Sequence, residues 1–215
     1  MQDGPPRTRD QEGDFETVTV PEQHCDQLRD LLIAEEAETV VEVGLAYASS
    51  ALAIGEALAT IDHPNPRHII IDPFQEREFS NAGWDLLCWA GLETIATLIA
   101  EPSSLALPQL LTEGFVADAA FVDGSHRFHE VFVDLYFLRK VVRPGGLIVI
   151  DDNWWPSVHT AVQYYEKNLG WTGIPDAFPV ETAGVGPKGN HGARCKAYRL
   201  PDAPFEPSFE DFRAF

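Results

Sequence analysis

Strand-length apolar runs alternate with stretches of helical periodicity along most of this chain, and few architectures satisfy that alternation. In order they are "TVVEVG", "SALAIGEALAT", "RHIIID", "WDLLCWAGLET", "ATLIA", "SLALPQLL", "AAFVDG", "HEVFVDLYFLRKVV" and "GLIVIDD". Within them "HIII", "AAFV" and "LIVI" are apolar without interruption, as strands covered on both faces must be. Strands alternating with helices call for a parallel sheet clad on both sides. The expected fold is therefore a doubly wound, Rossmann-like α/β domain. After Asp152 a helix near "SVHTAVQYYEKNL" leads to "WTGIPDAFPV" and "ARCKAYRL", joined by the glycine-rich "ETAGVGPKGNHG". These two segments read as an antiparallel hairpin at one edge, completing a mostly parallel seven-stranded sheet.

The ends of the chain read differently. Residues 1–17 are rich in Asp, Glu, Arg, Gly and Pro, too poor in apolar surface to offset ordering, and read as a flexible tail. Pro21 then opens a helix whose Leu28, Leu31 and Leu32 share a face. Residues 18–200 read as a single domain, since 215 residues suffice for one core and not comfortably for two. Residues 201–215 carry four Phe among prolines and acids, a C-terminal tail that packs on the domain or on a second copy; the latter would make a homodimer.

Charge narrows the partners. Fifteen Lys and Arg stand against 34 Asp and Glu, a formal charge of −19, which repels phosphate backbones and anionic membrane surfaces. Neither nucleic acid nor a membrane is an expected partner. Solubility alone also accounts for such a charge. Cys25, Cys88 and Cys195 follow no metal-like spacing and cannot all pair within one chain, which suits a reducing cytoplasm. The opening residues lack the apolar core of a signal peptide, and nowhere do enough apolar residues run together to span a bilayer.

In an open parallel sheet, ligands bind at the carboxyl ends of the strands, beside the point where strand order reverses. "VVEVG" places Glu42 and Gly44 there, ahead of a helix beginning near Ser49 whose N–H groups face an anionic ligand. A dinucleotide site would show G-x-G-x-x-G; this loop has Gly44 followed by "LAYASS", which argues against NAD. Asp72 ends the second strand, where an acid in such folds receives ribose hydroxyls; the alternative is a solvated or capping carboxylate before Pro73.

The constellation resembles the class I S-adenosylmethionine-dependent methyltransferases, in particular the branch with D-G-x-H after the fourth strand and D-D after the fifth, close to small-molecule and sugar O-methyltransferases. The resemblance covers about Gln23 to Val162, and "FVDGSHRFHEVFVDLYFLRKVVRPGGLIVIDD" is its most specific part. It implies S-adenosyl-L-methionine as cofactor and a small-molecule hydroxyl as methyl acceptor. By position, Glu42, Gly44 and Ser50 would face the methionine part of the cofactor, Asp72 the ribose, Phe74 the adenine, and Ser103 or Ser104 its edge, with Asp123 also beside the cofactor. Two departures are visible: Ala48 stands where such loops commonly have a second glycine, and Glu101-Pro102 where many relatives place glycine and aspartate.

Asp123 ends the fourth strand and Asp151 and Asp152 the fifth, neighbours about 5 Å apart in this topology. Three carboxylates at one edge repel unless something positive lies between them. Mg²⁺ or Mn²⁺ held by Asp123, Asp151 and Asp152 is one occupant; a helix cap and a solvated acid need no metal. Methyl transfer to oxygen needs a base, and Asp123 and His126 are the catalytic candidates, with His126 alternatively fixing the turn. His129, His159 and His191 are weaker candidates. Trp154 and Trp155 wall an acceptor pocket or belong to the core, while Trp84 and Trp89 read as packing residues. A non-catalytic cofactor-binding protein and a nucleotide-dependent oxidoreductase are the competing readings.

Overall fold

The computed structural model of the protein describes residues 18–178 and 193–215. The proline-led segment forms α1 (Glu22–Ala34), followed by β1 (Thr39–Val43), α2 (Ser49–Ile61) and β2 (Arg67–Ile71). Two short helices, α3 (Gln75–Phe79) and α4 (Ala82–Trp89), lead to β3 (Ala96–Ile99) and α5 (Ser103–Thr112). Then come β4 (Ala117–Val122), α6 (Phe128–Val141), β5 (Val142–Ile150), α7 (Pro156–Leu169), β6 (Thr172–Gly173) and β7 (Lys196–Arg199).

These strands make one seven-stranded sheet in the order β3-β2-β1-β4-β5-β7-β6. β1 to β5 are parallel, and β7 runs antiparallel to both β5 and β6. Strand order reverses between β1 and β4, which puts the binding crevice at the end of β1. The late pair forms the expected antiparallel edge, with β7 inside and the two-residue β6 outermost; most of the glycine-rich connection, including His191, lies outside the described residues.

The period-two alternation of the strands divides the core. Val41, Val43, Ile69, Ile71, Ala120, Val122, Ile148 and Ile150 point to one face, against Leu107 of α5, Leu135 and Leu138 of α6 and Tyr165 of α7. Val40, Ala119, Phe121, Leu147 and Val149 point to the other, against Leu28 and Leu32 of α1 and Ile54 and Leu58 of α2. Both faces are thus dry, which is why these strands read as unbroken apolar runs. Trp84 packs beside Leu87 and Ile70 in a third cluster, but Trp89 is 70% exposed, so the packing expectation is corrected for that residue. At the amino ends of the strands Glu35, Asp118, Arg143 and Arg199 pair with one another, Arg143 Nε reaching Asp118 at 2.8 Å. Those charges lie away from the crevice and tie α1 to the sheet.

The C-terminal segment lies on its own domain. Asn168 of α7 donates to the carbonyl of Arg213 at 2.9 Å and accepts from its N–H at 2.7 Å, Glu206 pairs with Arg139 and Lys140, and Phe215 meets Tyr164 edge-on. No helix among the described residues is long and apolar enough to cross a membrane.

Candidate active site

Gly44 leaves β1 at φ +95°, and a side chain there would put its Cβ 2.2 Å from the carbonyl oxygen of Asp123. Only glycine allows β1 and β4 to end so close together. The loop that follows turns through two further left-handed residues, Ala46 at φ +43° and Ala48 at φ +65°. A second glycine would suit Ala48's backbone, so the departure noted in the sequence falls on a strained position.

Asp72 holds this loop. Its Oδ2 accepts from Leu45 N at 3.0 Å, Ala46 N at 3.1 Å and Gln75 Nε2 at 2.9 Å, and its Oδ1 from Phe74 N at 2.7 Å. Gln75 also donates to the carbonyl of Ala46 at 2.9 Å, so β2's end and α3 together grip the turn after β1. Glu42 is fully buried beneath it: Ser50 Oγ donates to Oε1 at 2.5 Å and His68 Nε2 lies 2.9 Å from Oε2. The acid of β1 thereby fastens the first turn of α2 to β2. Phe74 is exposed at the crevice rim with Arg77 over its ring at 4.9 Å. Ser103 and Ser104 open α5, and Ser103 bonds the buried Asp134 of α6.

The acids of β4 and β5 separate into two groups. Asp123, His126 and Asp152 bring one ligand atom each within 4.8 Å of one another. His126, 46% exposed, places Nε2 2.7 Å from Asp152 Oδ2 and stacks on Trp155 at 5.9 Å between ring centres. Burial, with Asp151 and then Asp152 close by, holds the Asp123 carboxyl well above its usual range. Burial also works against ionising Asp152, but the hydrogen bond from His126 and the charge of Arg194 hold its carboxyl below the usual range. Asp152 adopts a left-handed φ of +52°.

Asp151 joins the other group, with His24 and Cys195. Arg194 Nη2 donates to Asp151 Oδ2 at 2.7 Å and Cys195 Sγ to Oδ1 at 2.9 Å. Burial first, then Asp151, push the Cys195 thiol well up, so the group is a closed network around a neutral thiol. The structure therefore brings Asp123 and Asp152 together and adds His126, while Asp151, still close enough to act on Asp123, points its oxygens to Arg194 and Cys195. His129 stands exposed outside this cluster, and His159 is engaged by Gln163 at 2.9 Å.

Arg194 and Gln75 escaped the sequence reading. Arg194 is a lone base before the last strand, and only the antiparallel register, Ile150 opposite Lys196, carries it to the acids. Gln75 closes the motif-like stretch "IIIDPFQ", but nothing in that stretch marks it as a donor; it matters because α3 turns back over the loop.

A cation fits the first group in chemistry. Asp123 and Asp152 offer oxygens, and neighbouring Asn153 has a buried Oδ1 with no hydrogen-bond partner among the described residues. S-adenosylmethionine fits less freely. Asp72 Oδ1 has a single donor and keeps capacity for one ribose hydroxyl, whereas Oδ2 is spent on the loop.

Comparison with known proteins bears on the fold. The fold matches the O-methyltransferase TomG of Streptomyces achromogenes, involved in tomaymycin synthesis and solved with S-adenosylmethionine, at TM-score 0.67 and 20% identity over 89% of this chain and 85% of that one. It matches an O-methyltransferase of Bacillus cereus in complex with S-adenosylhomocysteine at TM-score 0.66 and 16% identity, over 91% and 92% of the two chains. A methyltransferase of Podospora anserina, bound to S-adenosylhomocysteine, matches at TM-score 0.63 and 14% identity over 90% and 84%. No curated protein matches. At these identities the solved structures establish the seven-stranded methyltransferase architecture. The family model for the methyltransferase domain matches residues 41–153, from β1 through the acids of β5. That span is more than half of the chain and contains the crevice, and the chain belongs to the methyltransferase-domain family.

Proposed function

We propose that the protein transfers the methyl group of S-adenosylmethionine to a hydroxyl oxygen of a small molecule. The observation that carries this reading is the His126–Asp152 pair, 2.7 Å apart and half-open to solvent, next to Asp123 at the carboxyl edge of the sheet. S-adenosylmethionine supplies a methyl on a sulfonium whose positive charge disappears as the carbon–sulfur bond breaks. The residues of the chain must then orient the acceptor and take its proton. With Nε2–H donating to Asp152, the ring keeps Nδ1 as its acceptor, and Asp152 stabilises the imidazolium that forms when the hydroxyl proton arrives there. Trp155, stacked on the ring, fixes its plane. Asp123, whose carboxyl is pushed up by burial and by Asp151 and Asp152, stands beside the pair, within reach of an acceptor oxygen held there.

Mg²⁺ or Mn²⁺, where bound, would be held by Asp123 and Asp152 with Asn153 Oδ1, and would lower the pKa of an acceptor hydroxyl. Glu42 and Ser50 shape the methionine end by fixing α2, Asp72 offers Oδ1 to the ribose, and Phe74, Ser103 and Ser104 border the adenine end.

The test is a methylation assay over a panel of phenolic and sugar hydroxyls, with product identified by mass, for wild type and His126→Ala. Turnover of at least one acceptor, reduced roughly 100-fold or more by His126→Ala with S-adenosylhomocysteine affinity unchanged, is expected for loss of a general base. Binding of S-adenosylhomocysteine without turnover of any acceptor would favour a non-catalytic cofactor-binding protein. The strained Ala48 and the half-spent Asp72 are the observations on that side.

A further inference from the structure

Asp151 is the acid of the cluster that the chain itself pairs with a base. Its Oδ1 accepts from Arg194 Nε at 2.9 Å and Cys195 Sγ at 2.9 Å; its Oδ2 accepts from Arg194 Nε at 3.0 Å and Nη2 at 2.7 Å. The single hydrogen on Nε is shared between the two oxygens, so three donors occupy three of the about four acceptor positions of the carboxylate. Asp151 and Arg194 are also both enclosed, with side chains 0% and 12% exposed.

Arg194 is fixed by contacts of its own. Nη2 donates to the carbonyl of Thr19 at 3.4 Å, the guanidinium lies 5.5 Å from the centre of the Trp154 ring, and the backbone carbonyl accepts from Asn153 N at 2.8 Å. The segment before α1, the turn after β5 and the approach to β7 thus hold one positive charge at the heart of three acids. That charge also stands 3.6 Å from Asp152 Oδ1, on the carboxylate that His126 engages through Oδ2.

On the reading of Asp123 and Asp152 as cation ligands, we propose that Arg194 is the built-in countercation of the cluster. It withdraws Asp151 from the ligand set and keeps the affinity of the site for divalent cations low. Two physical effects act together. The guanidinium repels a second cation at short range in a partly desolvated site, and it engages both oxygens of Asp151, which would otherwise be available to complete the shell. Removing the charge while leaving Asp151 exposes an unpaired buried carboxylate, for which a divalent cation is the natural replacement.

Mn²⁺ is the probe, measured on the full chain by titration calorimetry and by loss of the free-ion electron paramagnetic resonance signal. Arg194→Met is expected to bind Mn²⁺ at least tenfold more tightly than wild type. The double variant Arg194→Met/Asp151→Asn, which replaces the buried pair by neutral groups, is expected to lose that gain and to bind no more weakly than wild type. Equal or weaker binding by a folded Arg194→Met overturns the proposal. If Arg194→Met does not fold, the double variant decides: a tenfold loss of Mn²⁺ affinity relative to wild type would mean that Asp151 is a native ligand, and overturns it as well. S-adenosylhomocysteine is titrated into the same samples without metal. Failure of that binding in wild type counts against the proposed function and leaves the Mn²⁺ comparison standing.

Discussion

Single side chains in this molecule carry costs that their positions explain. Gly44 is irreplaceable because the Asp123 carbonyl occupies the space of a β-carbon. Asp134, in α6, is buried among apolar residues with Oδ1 lacking a hydrogen-bond partner among the described residues. Burial raises its pKa from 3.8 to about 7; Ser103 opposes the shift and Glu130 adds to it. The sign follows from proton counting. Between these two values the folded chain keeps a proton that the unfolded chain releases, so stability falls as pH rises from 4 to 7 and stays reduced above. Asp134→Asn carries no such penalty, and its amide oxygen can still accept from Ser103. It is expected to be more stable than wild type at pH 8 by up to about 4 kcal/mol, with the gap closing towards pH 4. Urea denaturation across that range checks it; a gap independent of pH would show that Asp134 does not titrate there.

At the scale of elements, the crevice is organised by how β2 and α3 hold the loop after β1. Asp72 was legible as an acid at the right strand end, but its use as a loop clamp was not. Those four hydrogen bonds exist only once α3 has folded back and the amides of residues 45 and 46 have converged. Asp72→Ala is expected to cost about 2–4 kcal/mol, because it leaves Leu45 N and Ala46 N without acceptors, and to speed amide exchange across residues 45–48. Chemical denaturation and hydrogen exchange measure the two effects. A cost below about 1 kcal/mol with unchanged exchange would mean that packing, not the carboxylate, holds the loop. The D-D motif shows the same limit. Two adjacent acids look equivalent in sequence, but Asp151 is bound by Arg194 and Cys195, whereas Asp152 meets His126 through Oδ2 and stands 3.6 Å from Arg194 through Oδ1.

For the whole molecule the dominant long-range term is its charge of −19. Self-repulsion opposes the compact state, and salt weakens it. Raising NaCl from about 20 to about 300 mM is expected to raise the melting temperature by a few degrees in a calorimetric scan. A fall would mean that the ion pairs at the amino ends of the strands outweigh the net repulsion. The sequence by itself determined the alternation of strands and helices, the parallel sheet with both faces covered, the antiparallel edge and the location of the crevice at the end of β1. All of these follow from periodicities of two and 3.6 residues and from chain connectivity, which are local properties. Only the tertiary structure decided which acid meets which base. Arg194 lies 43 positions from Asp151, His68 stands 26 from Glu42, and no local pattern encodes such pairs; they arise from strand register and from how tightly β1 and β4 converge at Gly44.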